Sequence, residues 1–257
     1  QSNSPLFLDP ISPYERSPKG SCPTGLTVMA MHRSLTWNLP GIEERLATLR
    51  DDLVREVPSL STGDAARFRR WIRDIEMISA KAAVIAGTVQ LEVEADLGYS
   101  LGDREQFIIA MFRPSTRNLF DEIAEHARGN TWCTLTDAEL RELAGLHEVA
   151  GALAWIGDAA LKIGLLPAIW DPEIANAGVL TRNRKAYDRN SNLALLCDRW
   201  GLYEHRIHFD TGTPGSAQTI NHTKGTLVES VFGILFLREG LKGVASAAEL
   251  LRPPAPR

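Results

Sequence analysis

Two carboxylates stand where the surrounding sequence is otherwise apolar. Asp158 lies within Trp155-Ile-Gly-Asp-Ala-Ala160, and Glu229 lies within Leu227-Val-Glu-Ser-Val-Phe-Gly-Ile-Leu-Phe-Leu237. A carboxylate taken out of water needs a paired charge, a metal ion or several hydrogen bonds, so each acid demands a partner. If the two segments are helices that cross with small residues such as Gly157, Ala159 and Gly233 at the contact, the acids converge on one hard cation. Magnesium suits such a place, because it takes oxygen ligands from few side chains and keeps several waters. Separate ion pairs with arginines are the alternative.

Other chemistry is more thinly supported. His205 and His208 are three apart, as zinc ligands can be, but no third ligand is spaced to complete a site, which leaves solvated or capping histidines. The stretch Thr211-Gly-Thr-Pro-Gly-Ser216 is glycine-rich yet lacks the Gly-Lys-Ser/Thr ending of a phosphate loop and reads as a flexible connection. Cys22, Cys133 and Cys197 form no Cys-x-x-Cys pair, so buried free thiols are expected rather than disulfides or structural zinc. Arg67, Arg69, Arg70 and Arg73 share a helix face with phosphate-binding potential, although Asp74 and Glu76 interleave with them as on an ordinary solvated face. Trp37, Trp71, Trp132, Trp170 and Trp200 are expected as core or interface aromatics.

The elements that must position the acids are helical. Ile42, Leu46, Leu49, Leu53 and Val57 recur at three- and four-residue steps ahead of Pro58. Ser61 to Asp64 offers N-caps for a second helix with Phe68, Trp71, Ile72, Ile75, Ile78 and Ala82 on one face. Further helices are expected at about 103–113, 116–128, 136–168, 179–200 and 223–240, with a capping box at Thr136 and Glu139. Residues 5–40 read as a loop-rich arm in which Leu26 to Met31 could form one short element, and the proline-rich end from Arg252 reads as unpacked. The fold class is therefore all-α. With 257 residues, 44% apolar and 23% charged, the chain supports a substantial core, and its net charge of −4 argues against gripping nucleic acid by bulk positive charge. Its apolar runs, such as Val231 to Leu237, are shorter than a bilayer span, so no membrane role is expected.

Four segments, in order, resemble the ribonuclease III family. Ala152-Leu-Ala-Trp-Ile-Gly-Asp-Ala-Ala-Leu161 is similar to the family's signature helix, Glu-Arg-Leu-Glu-Phe-Leu-Gly-Asp-Ala-Val-Leu. Ahead of it, Leu97-Gly-Tyr-Ser-Leu-Gly-Asp103 and Ala110-Met-Phe-Arg-Pro-Ser115 resemble Leu-Gly-Tyr-x-Phe-x-Asp and Ala-Leu-Thr-His-x-Ser. Leu180 to Ala194 with Trp200-Gly-Leu-Tyr203 resembles the segment ending in Asn-x-x-Leu-Ala and a Leu-Gly-Leu turn. Lys224 to Leu237 resembles Asp-x-Phe-Glu-Ala-Leu-Ile-Gly-Ala-Ile-Tyr-Leu. The likeness covers about 90–244, with an insertion between Ser115 and Glu148.

The resemblance implies a magnesium- or manganese-dependent endoribonuclease that cuts double-stranded or structured RNA as a homodimer, in an intracellular setting, cytoplasmic or organellar. Asp158 and Glu229 match two of the family's four metal carboxylates; Ala154 and Thr226 stand at the other two, and Gly151 and Ala177 replace further acids. The mini-ribonuclease III branch also shows Leu-Ala-Tyr-x-Gly-Asp-Ala and Thr-x-Phe-Glu, which matches this depletion and favours an active, reduced site. A catalytically inactive RNA- or ribosome-binding module is the alternative. The resemblance also places Arg182, Arg184 and Lys185 for phosphate contact, and His222 or Lys224 close to the metal, against a reading of ordinary surface charge. The expected divisions are an arm and helical extension over 1–88, a ribonuclease III-like domain over 89–244 and a tail over 245–257.

Overall fold

The apolar periodicity near the start of the core produces the helices it predicts. The computed structural model describes residues 41–253, apart from residue 175 and residues 210–214, and these belong to one compact unit. Cys22, Trp37, the 5–40 arm, most of the 211–216 stretch and the last residues of the tail lie outside the described residues. Helix α1 (Ile42–Glu56) begins where Gly41 adopts φ 79°, and the Gly41 and Ile42 amides donate to Glu105 Oε1 at 2.8 and 3.1 Å. Helix α2 (Thr62–Val84) is capped by Ser61, whose hydroxyl accepts from the Asp64 amide. Leu46, Leu49 and Leu53 of α1 and Phe68, Trp71, Ile75 and Ile78 of α2 join the main core. Asp52, 1% exposed, ties this pair to the 130s: its Oδ2 accepts from the amide and hydroxyl of Thr134, both at 2.7 Å, while Arg55 pairs with Oδ1 at 2.9 Å.

Helical structure runs on through residue 88. A π-helical turn at Ile85–Val89 carries α2 directly into α3 (Gln90–Leu97), which stops at Gly98 with φ 71°. A single extra residue per turn relieves register without ending the helix. Helix α4 (Arg104–Ala110) follows, and α5 (Arg117–Ala127) and α6 (Asp137–Ala144) fill the insertion, α6 starting with the expected Thr136–Glu139 capping box.

The expected helix at 136–168 is three helices. Gly145 separates α6 from α7 (Leu146–Gly164), and α8 (Leu166–Ile169) starts anew with Pro167, which has no N–H to continue the ladder. Likewise 179–200 divides at Arg189, whose extended ψ of 142° separates α9 (Ala177–Asp188) from α10 (Asn190–Arg199). After α11 (Leu202–His205), the long α12 (Ala217–Ala247) bends at Gly240, and a 3-10 turn buries Ala248 and Leu251, so residues 245–251 pack instead of trailing away. Phe112 and Ile207 form an isolated bridge, and the described residues contain no strand.

The centre of the fold is the crossing of α7 and α12. A Cβ on Gly157 would sit 1.8 Å from the carbonyl oxygen of Glu229, and one on Gly233 would sit 2.1 Å from that of Leu153. Backbone therefore meets backbone, as the glycines predict. Buried Ser230 clips the helices together, its hydroxyl 3.2 Å from the Ala150 carbonyl. Ala159 corrects the expectation: it faces solvent and takes no part in the crossing. By length and composition alone, Leu146–Ile169 is apolar enough to cross a membrane. Its inner face is explained by α12, and its outer flank carries Asp158 and Lys162, charges that a bilayer interior disfavours.

Candidate functional site

The crossing brings Asp158 and Glu229 together. Asp158 directly follows Gly157, and Glu229, whose carbonyl Gly157 meets, lies one turn before Gly233, so close approach of the backbones also sets the side chains near one another. Glu229 is half-buried with no hydrogen-bond or ion-pair partner among the described residues. Burial pushes its carboxyl up to about 7, the charges of Asp158 and Asp188 push the same way, and Lys162 pulls it partly back. Asp158 is not the stranded acid that its neighbours suggest. It is about a third exposed and accepts a 2.5 Å hydrogen bond from the Lys162 ammonium one turn later.

A third acid joins them. Asp188, at the end of α9, is 13% exposed and pairs with Arg184 at 3.2 Å; burial raises its pKa, opposed by Arg184, and Asp158 adds a further upward push. Sequence reasoning missed both Asp188 and Lys162. The signal for each was an i,i+4 acid–base spacing, the commonest helical ion pair and hence easily passed over.

The positions that matched lost acids are structurally committed. Ala154 is 5% exposed against the core, and the Thr226 hydroxyl donates to the His222 carbonyl at 2.9 Å. Gly151 faces open space. Among the described residues, no group of three or more His, Cys, Asp or Glu is arranged to hold a metal. His205 and His208 accordingly form no zinc site among those residues. The donor set around Glu229 is two carboxylates with Asp188 alongside, and Lys162 and Arg184 already neutralise two of these charges. Such a set does not fit a resident divalent cation, which needs anionic oxygens left uncommitted.

Residues 151–240 match the family model of the ribonuclease III domain. The chain carries a domain of the ribonuclease III family. Its family is one of double-stranded-RNA endoribonucleases that generally use a divalent metal. No curated protein and no solved structure matches the chain. The match begins on α7 and ends where α12 bends, so the ribonuclease III domain is centred on the crossing that holds Asp158 and Glu229.

Among the basic residues expected to meet RNA, Arg182 and Lys185 are exposed on α9, whereas Arg184 is tied to Asp188. Lys224 does not reach the acids: its ammonium pairs with Asp198 at 2.5 Å and lies 5.2 Å from the Tyr203 ring centre. His222 is exposed, with Asn190 as its neighbour at 3.4 Å. The α2 arginines form a solvated face, Arg67 pairing with Asp64 and Arg70 with Glu122. Trp71, Trp132 and Trp200 are core residues, and Trp170 is 55% exposed.

Proposed function

We propose that this protein binds double-stranded or structured RNA through its ribonuclease III fold without hydrolysing it. The observation that carries this reading is the Lys162–Asp158 pair, which sets a lysine ammonium on one of the two acids that match the family's metal carboxylates. Duplex RNA is recognised mainly by shape and by its phosphates and 2′-hydroxyls, so a helical scaffold with an exposed Arg182–Lys185 strip suffices for binding. At a net charge of −4 the affinity is modest and strongly salt-dependent. Incubation with duplex RNA and magnesium or manganese is expected to give a salt-sensitive complex that survives Asp158→Ala, with no cleavage. Metal-dependent cleavage abolished by both Asp158→Ala and Glu229→Ala would overturn this.

Convergence of Asp158 and Glu229, with Asp188 beside them, favours a second reading, a magnesium-dependent endoribonuclease with a reduced acid set like that of the mini-ribonuclease III branch. The same incubation decides between the two. The setting proposed for either is intracellular, where structured RNA resides.

The family expectation of a homodimer has a surface to act through. Trp155 is 74% exposed, and Ile163, Leu166 and Trp170 extend an apolar stripe along the outward face of α7 and α8. Exposed large apolar side chains in one stripe mark an interaction surface, and a single helix face suits a self-complementary two-fold contact. Sedimentation is expected to show a dimer that Trp155→Glu converts to a folded monomer. A monomeric wild type, or a dimer indifferent to the substitution, would remove this surface from consideration.

A further inference from the structure

Away from the acids, a second charge arrangement has the opposite sign. Arg113 follows the Phe112–Ile207 bridge beyond α4 and is mostly buried, yet it has no ion-pair or side-chain hydrogen-bond partner among the described residues. The charge it does meet is that of Arg206. Burial and, secondly, this like charge hold the Arg113 guanidinium below the ordinary arginine pKa.

The two arginines stand on segments joined by backbone hydrogen bonds, with no carboxylate bridging them among the described residues. The Arg113 amide donates to the Ile207 carbonyl at 3.0 Å, and the Ile207 amide returns to Met111 at 2.8 Å. Arg206 lies 3.6 Å over the Tyr203 ring and donates to the Tyr203 carbonyl, while Lys81 donates to the Arg206 carbonyl at 2.7 Å. Glu204, exposed on α11, makes no ion pair with either arginine. Arg113 also has no sealed, unpartnered polar atom, so its guanidinium still reaches solvent.

Two like charges set close, with no acid paired to either among the described residues, are a net cost to the folded chain until an anion arrives. Guanidinium presents a planar fork of donors that matches the oxygens of a phosphate in paired hydrogen bonds, better than it matches a spherical anion such as chloride. We propose that Arg113 and Arg206 form a phosphate-binding site, distinct from the Asp158–Glu229 crossing. The site is independent of whether the acids hydrolyse RNA.

The test is thermal unfolding of the full chain in inorganic phosphate against chloride at matched ionic strength. A ligand that binds only the folded state raises the midpoint with concentration. Phosphate is expected to raise the wild-type midpoint progressively, and Arg113→Met and Arg206→Met are each expected to weaken phosphate binding about tenfold or more. Arg113→Met should fold, because it replaces an uncompensated charge with an apolar chain of similar length. Phosphate acting no better than chloride, or acting equally on wild type and both variants, would overturn the site. A second arm titrates duplex RNA at several salt concentrations. If the phosphate belongs to an RNA backbone, Arg113→Met lowers the slope of log affinity against log salt by about one. An unchanged slope with lost phosphate binding assigns the site to a free phosphate or a small phosphate-bearing ligand.

Discussion

Replacing Gly157 by alanine is expected to destabilise the protein by on the order of 3 kcal/mol or more, the upper end of what overpacking a core costs. The added Cβ would lie 1.8 Å from the Glu229 carbonyl oxygen and 2.7 Å from the Gly233 amide nitrogen. Both obstacles are backbone, so no side chain can turn aside to make room, and α12 must move off α7 as a whole. That movement stretches the Ser230 to Ala150 hydrogen bond and loosens the apolar contacts along the helix pair. Gly151→Ala, on the same helix with nothing within 4 Å of its added Cβ, is the control and should gain up to about 1 kcal/mol in helix propensity. Urea denaturation of the two variants checks the contrast. Equal midpoints would mean that the crossing does not depend on backbone contact. Because Asp158 and Glu229 ride on the two crossing helices, Gly157→Ala should also weaken the upward push of the Asp158 charge on the Glu229 carboxyl.

Helical periodicity made α1 and α2 legible, since a continuous apolar face needs no knowledge of its partner. The glycines at 157 and 233 were legible too, because small residues amid large ones signal a close approach. What the pattern did not carry was local termination. Nothing apolar changes at Gly145 or Arg189, so three helices read as one and two as another; backbone conformation at single residues made those divisions. The π turn worked in reverse, extending a helix through residue 88, where a domain division was expected. At the site, the convergence of Asp158 and Glu229 was legible from their apolar settings, but its charge balance was not. Lys162 looks like one more exposed lysine until α7 is wound and its ammonium falls on Asp158. The Arg113–Arg206 pair was beyond reach in the same way, because it is made by a bridge between residues 112 and 207, far apart in the chain.

Glu229→Gln is expected to stabilise the protein at alkaline pH and to leave it nearly unchanged in mild acid. The Glu229 carboxyl sits at about 7 in the folded chain against an ordinary 4.5. A raised folded-state value means that the native protein holds this proton more tightly than the unfolded chain does. The associated stability is therefore fully present below about pH 4.5 and is lost as pH rises through 7. The whole shift corresponds to at most about 3 kcal/mol, and residual solvent contact with the carboxylate lowers that to roughly 1–3 kcal/mol. Glutamine keeps the shape and removes the ionisation, so the variant should exceed wild type by that margin at pH 8 and match it near pH 5. The groups that set the shift predict the sign of a companion change: Lys162→Met removes the cation that restrains Glu229, leaving Asp158 and Asp188 to raise it further, and should steepen the pH dependence. Urea unfolding across that pH range measures both. A Glu229→Gln protein less stable than wild type at pH 8 would mean that the ionised carboxylate is compensated by a bound cation. In that case added magnesium should stabilise wild type and not the variant, and the acids would be a working metal site after all.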